Sequence, residues 1–152
     1  KRTLEVAPLL QQALDSYRER FAQRGLALES NCEAGVPVFA DPDRLMQMFR
    51  NVLENSFRYT DHGGRVRVGL RREGSVVRID FDDSAPGVPA DALPHLFERF
   101  YRVEGSRSRA SGGAGLGLAI SRSIAAAHGG ELAACASPLG GLRISVRLPV
   151  AT

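Results

Sequence analysis

Tryptophan is absent from this sequence, and cysteine occurs only at Cys32 and Cys135. Because the two thiols stand far apart and lack neighbours suited to binding a metal, we expect both to be buried and free, as in a reducing compartment. The three histidines, His62, His95 and His128, also lack the spacing of a metal site, and we expect them to be structural. The sequence therefore predicts neither a disulfide nor a metal site built from cysteine or histidine.

Long hydrophobic runs are missing as well. No uncharged apolar stretch approaches the roughly 18 residues that a membrane-spanning helix needs, and no basic, apolar leader opens the sequence. Lysine and arginine (20) only slightly outnumber aspartate and glutamate (17), without a basic block, which is too weak a bias to predict nucleic-acid binding. The 152 residues suit one domain with a real core. We expect a soluble piece, and its start at Lys1 is typical of a segment excised from a longer protein.

The strongest pattern lies in residues 44–60. At about 100° per residue, one arc of a helix would carry Leu45, Met48, Phe49, Val52, Leu53 and the small Ser56. This arc predicts a helix face packed on the core. A second stripe, at i, i+4 and i+7, carries Asn51, Asn55 and Arg58.

The polar stripe has two interpretations. On an arbitrary helix such a stripe is usually a solvated face. However, two Asn residues cost a helix about 1 kcal/mol relative to Ala, so their presence suggests another purpose. Amide oxygens suit a hard cation, and a guanidinium suits phosphate.

The remaining elements show no regular strand–helix–strand rhythm. Apolar periodicity predicts helices over residues 8–23 and from about 115 to 128, the second with Leu116, Ile120 and Ile124 on its inner face. Alternation predicts strands over residues 3–6, 26–30, 38–40, 66–70, 77–81, 132–136 and 142–148. We therefore expect an α+β fold, a two-layer α/β sandwich with a mixed, mostly antiparallel sheet and about three helices on one face.

Asp83 has the same parity as the apolar residues Val77, Ile79 and Phe81, so its carboxylate should point toward the buried face. A buried carboxylate needs a hydrogen-bond donor. The alternative is an aspartate at the strand end that caps its own turn at residues 84–87. The sequence leaves both interpretations open.

A glycine-rich segment covers residues 112–118. It does not match a dinucleotide fingerprint, because Leu118 stands where a glycine is needed, and it lacks the Gly-Lys-Ser/Thr of a P-loop. A glycine-rich loop leading into a helix still leaves backbone N–H groups free for an anion, although close helix–sheet packing would explain the same glycines. Residues 104–115 show no periodicity, and we expect them to be mobile.

Taken in order, these pieces resemble the catalytic ATP-binding domain of sensor histidine kinases, over essentially the whole chain, residues 1–152. Residues 51–55 are similar to the N box, 83–87 to the first glycine box, 97–102 to the F box and 113–118 to the second glycine box. The resemblance implies the Bergerat fold, ATP and Mg²⁺ as ligands, and transfer of the γ-phosphoryl group to a histidine.

The resemblance also implies residue roles. Asn55 would hold Mg²⁺, Arg58 and Arg102 would contact phosphate oxygens, Asp83 would accept from the adenine amino group, and residues 103–114 would form a lid. The implied catalytic set is Asn51, Asn55, Arg58 and Arg102. The implied ATP-binding set is Asn51, Asn55, Arg58, Tyr59, Asp83, Ala85, Gly87, Gly113, Gly115, Leu116, Gly117 and Leu118.

Two residues depart from the family pattern. Ala85 stands where the family usually has Gly, and Leu142 stands where it often has Thr or Ser near the adenine. Loss of that hydroxyl is expected to weaken nucleotide binding somewhat by removing a water-mediated contact.

Asn51 bears on the type of reaction. Related ATPases of the Hsp90, gyrase and mismatch-repair type carry Glu at this position as the base for water, whereas a carboxamide takes no proton at neutral pH. The sequence therefore favours phosphoryl transfer, with an ATP-driven conformational switch and a nucleotide-binding regulatory module as alternatives.

The partners follow from the same resemblance. No histidine here shows the acceptor pattern of His, acidic residue and Pro. We expect the acceptor on the dimerisation helices of the same kinase, a response regulator downstream, and a cytoplasmic location within a bacterial inner-membrane protein.

Overall fold

A computed structural model describes residues 1–84, 90–97 and 117–152 of the chain. The strands are β1 (Arg2–Glu5), β2 (Ala27–Cys32), β3 (Pro37–Ala40), β4 (Arg65–Glu73), β5 (Val76–Ser84), β6 (Glu131–Ala136) and β7 (Gly140–Pro149). The helices are α1 (Val6–Asp15), α2 (Arg18–Gln23), α3 (Pro42–Tyr59) and α4 (Gly117–Ala127), with a 3₁₀ helix at Ala90–His95. The predicted α+β class is confirmed.

The main sheet has five strands in the order β2-β4-β5-β7-β6. Its β2–β4 pair is parallel and the other three pairs are antiparallel, so the predicted mixed, mostly antiparallel sheet is confirmed. β1 and β3 form a separate antiparallel pair. The last residues join both sheets, because the Val150 N–H donates to the Ser75 carbonyl (2.8 Å) and the Ala151 N–H to the Pro37 carbonyl (2.9 Å).

Helix α3 lies in the middle of the helical layer, between α1 and α4 and over β5. The Asp41 side chain caps its first turn by accepting from the Asp43 and Arg44 N–H groups, and Pro42 suits the first helical position. The predicted face is confirmed, since Leu45, Met48, Phe49, Val52, Leu53 and Ser56 are all buried. Gly63, with φ of +85°, turns the chain after the helix.

The prediction of one helix over residues 8–23 is wrong, because the chain breaks between α1 and α2. At the break the Ser16 hydroxyl donates to the Ala13 carbonyl (2.6 Å) and the Tyr17 N–H to the Leu14 carbonyl (3.0 Å), an i to i−3 tightening. Apolar side chains on both sides, including Leu14, Tyr17 and Phe21, remain buried, so the periodicity does not reveal the break.

Helix α4 buries more than the predicted face. Ile124 is buried as expected, Ile120 is half-buried and packs against the core, and Leu116 lies outside the described residues. The buried face also includes Leu118, Ser121 and Ala125. Helix α4 packs against α3, and two of its buried side chains, Ser121 and Ala125, are small.

Both cysteines are free, but the expectation that both are buried is wrong for Cys135, which is exposed on the edge strand β6. Cys32 is half-buried, and burial raises the pKa of its thiol. His128 is structural as expected: its Nε2 accepts from the Asp41 N–H (3.2 Å) and its Nδ1 donates to the Ile124 carbonyl (2.7 Å). None of the helices in the described part of the chain combines the length and apolar character of a membrane span.

The outer sheet face, which no described helix covers, buries two carboxylates under arginine side chains. Arg143 binds Asp82 with two hydrogen bonds (2.8 and 3.1 Å). Arg78 (3.0 Å) and Ser145 (2.6 Å) both donate to Asp80. Burial opposes the ionisation of Asp80, but these hydrogen bonds keep its pKa below the usual range. The network joins β5 to β7 next to the residues of the candidate site.

A β-bulge interrupts the β5–β7 pairing at Asp83. Asp82 pairs with Arg143 and Ser84 with Gly140, so Asp83 faces two residues of β7, Gly141 and Leu142. A Cβ added at Gly141 would lie 2.2 Å from Asp83 Oδ1 and 2.3 Å from the Ser84 carbonyl oxygen. The bulge therefore requires glycine at position 141.

Substitution Gly141→Ala is expected to lower the free energy of unfolding by about 1–3 kcal/mol, because the β5 backbone must move. Gly69→Ala is the matched control on β4, where the nearest atom to an added Cβ lies 4.0 Å away, and it should change stability by less than about 0.5 kcal/mol. Urea unfolding of both variants measures the difference. Equal stability of the two would contradict the close approach at Gly141.

Candidate functional site

The polar stripe of α3 meets the start of α4. The Nδ2 of Asn51 donates a hydrogen bond to the Gly117 carbonyl over 3.3 Å, and a Cβ added at Gly117 would lie 3.8 Å from the Asn51 side chain. Leu118, the next residue, is buried and fixes the first turn of α4 in the core. The fold thus brings together two candidate segments that are far apart in sequence.

Asn55 lies one turn further along α3 and is only 9% exposed. Its Nδ2 is buried, and no described residue accepts a hydrogen bond from it. Arg58 Nε, Thr60 Oγ1 and, on α4, Ser121 Oγ are likewise buried without a hydrogen-bond partner in the described part of the chain. Each buried polar group without a hydrogen-bond partner lowers the stability of the protein by about 1–3 kcal/mol. A ligand or water that bonds to these groups at the end of α3 would therefore restore stability.

The Asn55 side chain is also suited to a hard cation. The described residues contain no group of three or more His, Cys, Asp or Glu side chains that could hold a metal. Mg²⁺ usually takes one or two protein oxygens and completes its shell with phosphates and water. The residues present therefore fit Mg²⁺ bound together with a nucleotide, but they do not form a metal site that the protein builds alone.

Arg58 and Tyr59 end α3, and both are half-buried. The Nε of Arg58 lies 3.5 Å from Glu54 Oε2, within ion-pair range but without hydrogen-bond alignment. Within the described ranges, no hydrogen bond engages the two terminal nitrogens of Arg58. The end of this guanidinium can therefore meet an anion.

Asp83 is 1% exposed on the inner side of β5, so the parity prediction is confirmed. Its Oδ1 accepts the Leu142 N–H over 2.8 Å across the bulge. Burial raises the pKa of Asp83 to about 7; the Leu142 hydrogen bond opposes this effect and the nearby Asp82 charge adds to it. The Leu142 N–H is the one hydrogen-bond donor that the described residues give this carboxylate. A carboxylate that accepts a hydrogen bond from a ligand is expected to have such spare capacity.

Leu142 contributes to the site through its backbone. Its side chain is 1% exposed and belongs to the core, while its N–H holds Asp83. The sequence departure at this position therefore concerns packing as well as the missing hydroxyl.

Several predicted site residues lie outside the described residues: Ala85, Gly87, Arg102, Gly113, Gly115 and Leu116. The predicted lid at 103–114 and the mobile segment at 104–115 also lie there, as does most of the F box. The described site therefore consists of the α3 stripe, Asp83 and the start of α4.

Sequence reasoning missed Glu54, which lies between the two asparagines. Its carboxylate accepts from the Tyr17 hydroxyl (2.9 Å) and from both terminal nitrogens of Arg20 (2.9 and 3.3 Å). Burial opposes the ionisation of Glu54, but these hydrogen bonds lower its pKa. An acidic side chain beside Asn55 was the only sequence signal, and nothing in the sequence marks Tyr17 as its partner.

Comparison with known proteins supports a family assignment. Residues 40–152 match the family model described as "Histidine kinase-, DNA gyrase B-, and HSP90-like ATPase". The chain is 53% identical, over 99% of its length, to the signal transduction histidine-protein kinase BaeS of Escherichia coli K12, and 34% identical, over 97%, to the sensor histidine kinase CpxA of the same organism. It spans about a third of the length of each (32%).

Solved structures agree with this similarity. The mycobacterial sensor histidine kinase MprB matches with a TM-score of 0.87 and 28% identity, and 98% of each chain is covered. Full-length ShkA in complex with AMPPNP matches with a TM-score of 0.82 and 28% identity, covering 98% of this chain and 31% of ShkA. With the family model matching most of its length, the chain belongs to the histidine kinase-, DNA gyrase B- and HSP90-like ATPase family, and its relatives in sequence and structure are histidine kinases.

Proposed function

We propose that residues 1–152 form the catalytic ATP-binding domain of a sensor histidine kinase, which binds Mg·ATP and donates the γ-phosphoryl group to a histidine on the dimerisation helices of the same kinase. The observation that carries this proposal is that Asn55, Arg58 and Thr60 each bury a polar atom with no hydrogen-bond partner among the described residues. These groups surround one end of α3, and the domain family is one of ATPases.

Each described residue has a role in this proposal. Asn55 would hold Mg²⁺ through its carboxamide oxygen, and the terminal nitrogens of Arg58 would bind phosphate oxygens. When bound, the ion would supply charge neutralisation and orientation of the phosphates. Asp83 accepts from the adenine amino group, and Asn51 holds Gly117 so that the start of α4 stays close to α3.

Residues outside the described ranges complete the proposed site together with Tyr59 and Leu118. Arg102 would bind phosphate, and the pocket would be lined by Tyr59 and Leu118 with Ala85, Gly87, Gly113, Gly115 and Leu116. We propose that a response regulator acts downstream and that the domain lies on the cytoplasmic side of a bacterial inner-membrane kinase. For the histidine kinase ThkA, a complex with the response regulator TrrA has been solved.

Transfer is favoured over hydrolysis because the described site offers no suitable base for water. Asn51 is a carboxamide whose Nδ2 is engaged by Gly117. The acidic neighbour on α3 is Glu54, and its lowered pKa and its bonds to Arg20 and Tyr17 make it a poor proton acceptor. Catalysis would therefore depend on positioning and charge neutralisation.

The adenine contact predicts a specific loss of affinity. Asp83→Asn should weaken ATP and ADP alike by more than about tenfold, because a buried charge-assisted hydrogen bond is lost. GTP, which lacks the amino group at that position, should bind the parent poorly. Isothermal titration measures all three ligands, with Asp61→Asn as the exposed control. Equal affinity of the parent for ATP and GTP would contradict the role of Asp83.

Asp83 also predicts a pH dependence of stability. Its folded pKa of about 7 lies above the unfolded value of 3.8, so its contribution is fully present below about pH 4 and is lost as the pH rises through 7. As the pH rises through this window, the free energy of unfolding of the nucleotide-free parent should fall by up to about 4 kcal/mol because of this group. The Asp83→Asn variant should not show this fall. Asp80 and Glu54, with lowered pKa values, act in the opposite direction, so the comparison is between parent and variant in urea at each pH. Parallel pH profiles would show that Asp83 is not the cause.

Phosphoryl transfer is the direct test of the function. The chain alone should bind Mg·ATP but carry no label from γ-labelled ATP, because it has no histidine in the acceptor pattern. Adding the dimerisation segment of the kinase should give a slow, acid-labile and alkali-stable phosphohistidine, since the covalent link that holds the acceptor nearby is missing.

Two variants sharpen this test. Asn55→Ala should abolish transfer by removing the metal ligand, and Asn51→Glu should introduce some hydrolysis by supplying a carboxylate. Rapid phosphate release by the parent without an acceptor would instead support the ATP-driven switch. Nucleotide binding without transfer to the segment would support the regulatory module.

A further inference from the structure

Glu54 sits at the centre of a cluster that joins α3 to the break between α1 and α2. Three donors converge on its carboxylate: the Tyr17 hydroxyl and both terminal nitrogens of Arg20. The Tyr17 hydroxyl also lies 3.2 Å from the Arg50 carbonyl oxygen one turn earlier. Burial and the Glu54 charge raise the pKa of Tyr17 to about 12, so its hydroxyl remains a donor at every working pH.

Tyr17 lies at the break between α1 and α2, and Arg20 lies in α2. The guanidinium of Arg20 lies over the Tyr17 ring (5.1 Å) and the Phe57 ring (4.5 Å), which orients it toward Glu54. The guanidinium of Arg24 also lies over the Phe57 ring, 4.8 Å from its centroid. The same side chain donates to the Phe57 carbonyl over 2.6 Å. The last turn of α3 is therefore contacted by the side chains of Arg20 in α2 and of Arg24 directly after it.

Arg58 is the next charged residue along this face of α3. Its Nε lies 3.5 Å from Glu54 Oε2, and its side chain is 23% exposed. Because Arg20 already neutralises Glu54 with two hydrogen bonds, the cluster of one carboxylate and two guanidiniums keeps a net positive charge. A lone Glu54–Arg58 pair would cancel the charge of Arg58. Here Glu54 lies within ion-pair range of Arg58 Nε, without a hydrogen bond to it, and its own charge is already neutralised by Arg20.

We propose that Glu54, supported by Tyr17 and Arg20, is a positioning residue that directs the Arg58 guanidinium toward the nucleotide phosphates. The role rests on the proposed function, because it requires phosphates at the end of α3. An arginine side chain that is restrained before binding loses less rotational freedom when it meets a phosphate. Tyr17, at the α1–α2 break, and Arg20, in α2, would then support the site without contacting the ligand themselves.

The direction in which one substitution changes the affinity for ATP distinguishes a positioning role of Glu54 from a purely electrostatic effect. Glu54→Gln removes a negative charge near the phosphates, so electrostatics alone predicts tighter ATP binding. If Glu54 orients Arg58, the same change should weaken ATP about fivefold to tenfold and leave adenosine, which has no phosphate, unchanged. Isothermal titration of this chain with adenosine and with ATP in the presence of Mg²⁺ gives both affinities.

Two further variants complete the experiment. Tyr17→Phe removes one donor to Glu54 without changing charge and should weaken ATP about twofold to threefold, again without affecting adenosine. On an Arg58→Ala background, Glu54→Gln should cause no further loss, because the residue it positions is gone. Asp15→Asn is the control, since its exposed carboxylate pairs with Arg18 on the same pair of helices.

The outcomes are distinguishable. A parent that binds neither ATP nor adenosine overturns the proposed function and the positioning role together. A parent that binds ATP while Glu54→Gln and Tyr17→Phe bind it equally or more tightly overturns the positioning role alone. If Glu54→Gln does not fold, as judged by lost adenosine binding, Tyr17→Phe decides on the same criteria.

Discussion

The rotation of α3 about its own axis is the constraint on which the rest of the structure depends. Its apolar face must meet the sheet, where Phe49 packs near Phe81 with ring centroids 6.4 Å apart. Turning the helix by one residue, about 100°, would expose this face. Because the rotation is fixed, the direction of Asn51, Asn55 and Arg58 is fixed as well, and the neighbouring helices need only complete the site around them.

The site concentrates polar groups that the fold leaves incompletely satisfied. Asn55 and Thr60 bury polar atoms that find no hydrogen-bond partner in the described part of the chain, and Asp83 is a buried carboxylate with a raised pKa. Elsewhere the fold satisfies its buried charges, as Arg143 does for Asp82 on the outer sheet face. The polar groups without partners therefore lower the stability of the protein at the place where a ligand is expected, whereas the buried charges on the outer sheet face are paired. Such a division is common in proteins whose sites are built on rigid elements.

Much of this arrangement could be predicted from the sequence because it follows from periodicity. The α3 face, the alternating strands β4 and β5 and the inward side chain of Asp83 each depend on a local repeat of 3.6 or 2 residues. The helix break at Ser16, the β7 bulge and the link between Tyr17 and Glu54 depend on contacts between distant segments, which no local pattern records. Cys135 was misjudged because residue type does not show which strand lies at the sheet edge.

The position of β7 affects how the chain folds during synthesis. β7 lies between β5 and β6 in the sheet, yet its residues, Gly140–Pro149, follow those of the other four strands of this sheet in the chain. Until they leave the ribosome, β5 lacks a partner along one edge, and the apolar face of Val77, Ile79 and Phe81 is incompletely packed. We therefore expect the nascent sheet to expose the unpaired edge of β5, an aggregation hazard, until β7 inserts into the middle and Ala151 bonds to Pro37.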